Sequence, residues 1–126
     1  MMKILIVDDS ELDRRLLVRV LQKAEIKNEI LQATDGEQGL YVLASNYQDI
    51  CVVLLDWQMP KMNGIEVLEG IAKVPAVCDV PVVMVTASGS DENKKLAYSV
   101  NPKLAGYIVK PYKPDQMIEA VKPFLK

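Results

Sequence analysis

Residues 51–64 read CVVLLDWQMPKMNG, and the reading of this stretch decides the fold. Cys51 to Leu55 form an apolar run with no polar interruption, the pattern of a strand covered on both faces. The run ends on Asp56, after which the chain turns through Met59-Pro60 and Asn63-Gly64. A strand covered on both faces belongs to a parallel sheet lying between layers of helix. A lone carboxylate at the end of such a strand is costly, because burial either exacts several kcal/mol or forces it to take a proton. The site must therefore supply something that compensates Asp56.

Working outward, similar runs occur at Lys3–Val7, Glu29–Ala33, Pro81–Thr86 and Gly106–Val109. Segments of helical period separate them. Leu12, Leu16, Leu17, Val20, Leu21 and Ala24 are expected on the inner face of a first helix capped by Ser10 with Asp13. Leu40, Leu43, Ala44 and Tyr47 repeat the pattern after Asp35-Gly36, and Ile65, Leu68 and Ile71 do so after Asn63-Gly64, where Gly64 is read as supplying a positive φ. A fourth helix starts near Ser90 and stops before Pro102, with Leu96, Ala97 and Val100 inward. Pro114 opens the fifth, which buries Met117, Ile118, Val121 and Leu125. The result is an α/β chain of (βα)5 type, a doubly wound five-stranded parallel sheet with helices on both faces. Its strand order, 2-1-3-4-5, is borrowed from flavodoxin-like sheets rather than derived from the residues.

The 126 residues, 50% apolar and 25% charged, suit one domain spanning 1–126. With 17 acidic and 15 basic residues the formal charge is −2, which argues against direct nucleic-acid binding by this chain. No apolar run approaches the ~18 residues of a membrane span, and MMKILIVDDS places acids where a signal peptide would be cleaved, so the expectation is a cytoplasmic protein without membrane insertion. Cys51 and Cys78 lack zinc-type spacing, and the chain contains no histidine. Histidine-dependent triads and imidazole acid–base catalysis are thereby excluded. Chemistry must come from carboxylates, lysine, hydroxyls and a bound ion.

In a doubly wound sheet the functional crevice lies beyond the carboxyl ends of the strands. Strand one ends in Asp8-Asp9, strand three in Asp56, strand four in Thr86-Ala87 and strand five in Lys110-Pro111. Alone, each has an ordinary reading: a turn acid or helix cap, a strand threonine, a surface lysine. In sheet order they gather at one edge. Crowded carboxylates raise one another's pKa unless positive charge is supplied, and few, hard, water-accessible oxygens suit Mg2+. Lys110 adds a point charge able to pair with Asp56 or with an oxygen attached to it.

These motifs, ILIVDDS, LLDWQMPKMNG, VVMVTA and GYIVKPY, resemble the receiver domain of two-component response regulators, and are similar to the single-domain chemotaxis type. The resemblance implies phosphoryl transfer to Asp56 from a phosphohistidine on a sensor histidine kinase or a histidine phosphotransfer protein. It implies that Asp9 and Asp56 bind Mg2+ directly, that Asp8 assists through water, and that the Gln58 backbone carbonyl completes the protein ligands. Thr86 would hydrogen-bond the phosphoryl group, Lys110 would pair with it, and the Lys110-Pro111 peptide would be cis. Thr86 and Tyr107 would form the switch, with Tyr107 moving toward a buried rotamer. A downstream protein would then be met by the face of helix four, strand five and helix five, with Lys94, Lys95, Tyr98 and Lys113 at its rim. A homodimer formed on phosphorylation is a further arrangement in keeping with the family.

Gln58 and Ser88 occupy positions that influence phosphate lifetime in such domains. The segment from Tyr98 to Gly106, with Pro102, is slightly longer than the usual connection. The chain reaches Lys126 directly after its fifth helix, so no output domain is expected within it, whether it acts alone or as a module of a larger regulator. Three rivals differ in class. An aspartyl-phosphate phosphatase would show a second acid where Gln58 stands. A flavin carrier would show a Ser/Thr/Gly phosphate loop where Asp8-Asp9 stand. A degenerate receiver would serve only as a binding scaffold. On the receiver reading the chain is a signalling phosphoacceptor, not an enzyme acting on a separate substrate.

Overall fold

A computed structural model describes residues 1–126. Five parallel strands, β1 (Lys3–Val7), β2 (Ile30–Ala33), β3 (Ile50–Leu55), β4 (Val82–Thr86) and β5 (Gly106–Val109), form one sheet in the order β2-β1-β3-β4-β5. The strand runs predicted above hold to within one residue at each end. The central strand β3 is buried at every position, as its unbroken apolar sequence demands.

Strand alternation divides the core between the two faces of the sheet. Ile4, Ile6, Val52, Leu54, Val83 and Val85 face α1 (Glu11–Lys23) and α5 (Pro114–Val121), which contribute Leu17, Leu21, Met117 and Val121. Leu5, Val7, Val53, Leu55, Val82 and Met84 face the other way. There α2 (Gly36–Asn46), α3 (Gly64–Lys73) and α4 (Asp91–Val100) bring Leu43, Val67, Leu68, Ile71 and Ala97. Each such Val, Leu, Ile or Met side chain, fully buried, is worth about 1.5–3 kcal/mol relative to exposure. The three-layer arrangement follows directly.

Several helix faces differ from expectation. Leu12 is 65% exposed, and Leu16 (47%) and Leu96 (44%) are also largely outside the core, as are Ala24 and Ala44. Leu12 sits about 140° around the helix from Leu17 at 100° per residue, so the two cannot share a sheet-facing stripe. Val67, by contrast, is buried alongside Leu68 and Ile71, while Ile65 is only half-buried.

Gly64 also departs from its sequence reading. No glycine has a positive φ; that conformation falls on Glu25 (62°) and Lys61 (66°). What Gly64 provides is room, since a Cβ there would lie 2.3 Å from the Asp56 carbonyl oxygen and 2.9 Å from Trp57 Cα. Both obstacles are backbone. The loop closes tightly because the Gly64 N–H donates to the Trp57 carbonyl (2.7 Å), and Asn63 and Glu66 then complete a reciprocal cap on α3.

Candidate functional site

The backbone ladder runs one residue past several strands and fixes where the polar groups begin. Asp8 N–H donates to the Ala33 carbonyl (3.1 Å), Asp56 N–H to the Val7 carbonyl (2.9 Å) and Lys110 N–H to the Thr86 carbonyl (2.8 Å). Asp8, Asp56 and Lys110 are thus held at one sheet edge by main-chain bonds rather than by their side chains. The Lys110-Pro111 peptide is cis.

Asp8, Asp9 and Asp56 each present a carboxylate oxygen, and these lie within 4.8 Å of one another. Asp8 is buried, Asp56 half-buried and Asp9 exposed. Asp8 has both oxygens engaged, Oδ1 by the Ser10 N–H (2.9 Å) and Oδ2 by the Lys110 ammonium (2.7 Å), while Arg14 Nη1 donates to its backbone carbonyl (2.7 Å). Asp56 Oδ1 accepts the Trp57 N–H (2.8 Å). Burial, and then the neighbouring Asp8 charge, push the Asp56 carboxyl up to about 6, against the pull of Lys110. The donor set is entirely hard oxygen and partly open to water, which fits Mg2+ and not a soft metal.

Lys110 pairs with Asp56 as its sequence reading expects, but it lies closer to two other acids. Its Nζ is 3.9 Å from Asp56 Oδ1, beyond hydrogen-bond reach, but 2.7 Å from Asp8 Oδ2 and 2.9 Å from Asp13 Oδ2. Burial disfavours its charge, yet the hydrogen bonds it donates to Asp8 and Asp13 and the Asp56 charge outweigh that and hold its pKa above the ordinary lysine value. The sequence marks Asp13 only as a capping partner. It does donate its N–H to Ser10 Oγ (3.2 Å), but its carboxylate does not complete the reciprocal box, because Asp8 already occupies the Ser10 N–H. Its place in the first turn of a helix that opens directly beyond Asp8-Asp9 was the available signal.

Gln58, Thr86 and Ser88 line an open cleft of about 760 Å³ together with Asp9, Asp56 and Lys110. Thr86 is buried, with Oγ1 accepting the Ser88 N–H (3.2 Å). Tyr107 lies outside the cleft and is half-buried; its hydroxyl donates to the Ser88 carbonyl, and the Lys94 ammonium lies 5.9 Å from its ring centre. Ser88 thus connects the end of β4 with Tyr107 on β5. Asn93 Nδ2 donates to the Ser88 hydroxyl.

A family model for the response regulator receiver domain matches residues 4–122. The chain belongs to the response regulator receiver family. Among curated relatives of this receiver, a chemotaxis protein CheY homolog of Campylobacter jejuni is 32% identical over 98% of this chain and 92% of its own. Among solved structures, Vibrio cholerae CheY4 superposes with a TM-score of 0.85 at 29% identity, covering 99% of both chains. A second, from a CheX-CheY-BeF3-Mg2+ complex of Borrelia burgdorferi, gives a TM-score of 0.86 at 30% identity over 99% of this chain and 90% of that one. The receiver's fold and strand order are those of the chemotaxis type. No helix is long and apolar enough to cross a membrane.

Proposed function

We propose that this receiver is a phosphoacceptor in which Asp56 takes a phosphoryl group from a phosphohistidine donor, a sensor histidine kinase or a histidine phosphotransfer protein. The observation that carries the reading is the set of three carboxylates within 4.8 Å of one another beside a half-buried lysine. The absence of histidine from the chain means that the phosphohistidine must come from a partner. In the transfer the P–N bond to the donor imidazole breaks as a P–O bond to Asp56 forms, and the imidazole leaves to take up a proton from water.

The chain's residues divide the work. Asp9 and Asp56, with the Gln58 backbone carbonyl, would hold Mg2+, and Asp8 would support it through water. The bound ion supplies positive charge against the phosphoryl oxygens. Asp56 is the nucleophile. Lys110 neutralises a phosphoryl oxygen, and Thr86 donates its hydroxyl to another. Phosphorylation adds about −1.5 to −2 charge. Thr86 is drawn toward it, and Tyr107, tied to the same segment through Ser88, changes its packing, shifting a two-state population on the face of α4, β5 and α5. A downstream protein docks there, with Lys94, Lys95, Tyr98 and Lys113 at the rim. The protein works in the cytoplasm.

The test is direct. With Mg2+ present, acetyl phosphate should add one phosphoryl mass at Asp56 and perturb the fluorescence of Trp57, the only tryptophan. Asp56→Asn should abolish both donor responses. Failure to acquire phosphate from acetyl phosphate or a phosphohistidine protein would leave a binding scaffold instead.

A further inference from the structure

We infer that Asp13 is a positioning residue that competes with the phosphoryl group for Lys110 and thereby limits how strongly the phosphorylated state is held. The inference rests on the phosphoacceptor reading of Asp56 and adds a control to that site. An ammonium has three donors. Two are already committed here, to Asp8 Oδ2 at 2.7 Å and Asp13 Oδ2 at 2.9 Å, while Asp56 Oδ1 stands off at 3.9 Å.

The two holding acids are not equivalent. Asp8 sits at the end of β1 with both oxygens bonded, and its side chain is only 8% exposed; it cannot release Lys110 without leaving a buried carboxylate oxygen unpaired. Asp13 is on the first turn of α1 and its side chain is 37% exposed, so water can replace the ammonium when the lysine leaves. Asp13 is therefore the contact that yields. It is also a negative charge at the rim of the cleft, where it opposes an incoming anionic donor through the field as well as through Lys110.

Occupation of the Ser10 N–H by Asp8 releases the Asp13 carboxylate for this role. Were that N–H free, an acid three residues after the cap would fold back onto it. The cap needs only the Asp13 backbone, which donates to Ser10 Oγ, so replacing the side chain leaves α1 its start. A part-exposed ion pair sets the scale, an effect of about two- to fivefold.

The experiment compares wild type, Asp13→Asn, Asp13→Glu and Asp56→Asn, each as the full chain with Mg2+ and limiting acetyl phosphate. Phosphoryl gain and, after donor removal, loss are followed by intact mass. The acyl P–O bond breaks as the bond to Asp56 forms, and acetate leaves. Asp13→Asn should raise the ratio of gain to loss rates about two- to fivefold, Asp13→Glu should stay near wild type, and the gap should shrink in high salt. In the donor-free protein the Lys110 ammonium should exchange its protons with water faster in Asp13→Asn by 15N NMR. Unchanged rates in Asp13→Asn, with wild type phosphorylated normally, overturn the role of Asp13 alone. A wild type that gains no phosphate overturns the phosphoacceptor reading and this inference with it.

Discussion

At Asp56 burial and a neighbouring anion penalise the charged form, and this has a thermodynamic sign. The group titrates near 3.8 when free and about 6 in the fold. Between those values the folded chain binds the proton more strongly than the unfolded one. The associated stability is full below pH 4 and is lost as pH rises through about 6. In EDTA, Asp56→Asn should therefore be more stable than wild type at pH 7.5 by on the order of 1–2 kcal/mol, the gap closing toward pH 4. Urea melts across that range measure it, and equal curves at pH 7.5 would refute it. Added Mg2+ should narrow the gap by stabilising wild type. Asp8, Asp9, Asp56, Thr86 and Lys110 were legible in the sequence because strand ends of one parallel sheet share an edge. Asp13 was not, since its partner depends on which side chain takes the Ser10 N–H.

Among the elements, α1 separates pattern from packing. Its apolar residues cover a band wider than the strip that meets the sheet. Leu17 and Leu21 fall on that strip, whereas Leu12 and Leu16 do not. Leu21→Ala should cost about 2–5 kcal/mol, and Leu12→Ala no more than about 0.5. Chemical denaturation of the two variants checks the contrast. Periodicity identified the five α-helices but not the short 3-10 turns at Tyr47–Asp49 and Lys122–Phe124, and proline and cap signals placed the starts of α4 and α5 at Ser90 and Pro114. Which apolar residues go inward depends on the angle at which each helix meets the sheet, and spacing alone does not contain that angle. The Gly64 reading failed for a similar reason: the crowding it relieves comes from backbone eight residues earlier in the chain.

For the whole molecule, the alternation of five strands and five helices was sufficient for the fold class, while the order of strands came from analogy with other sheets. Long-range polar ties are less visible still. Asn28 Nδ2 donates to both the Met2 carbonyl (2.7 Å) and the Lys126 carbonyl (2.9 Å), and the Met2 N–H donates to the latter as well (3.0 Å). Asn28→Ala should cost about 1–2 kcal/mol and accelerate amide exchange at the start of β1 and over Phe124–Lys126, read by hydrogen-exchange NMR. Through those bonds the backbone all but closes into a ring on the side of the sheet remote from the acidic cleft. The point of opening is then a matter of choice: a short linker between residues 126 and 1, with a new break in the exposed Val74–Ala76 bend, should give a circular permutant whose acidic centre is unchanged.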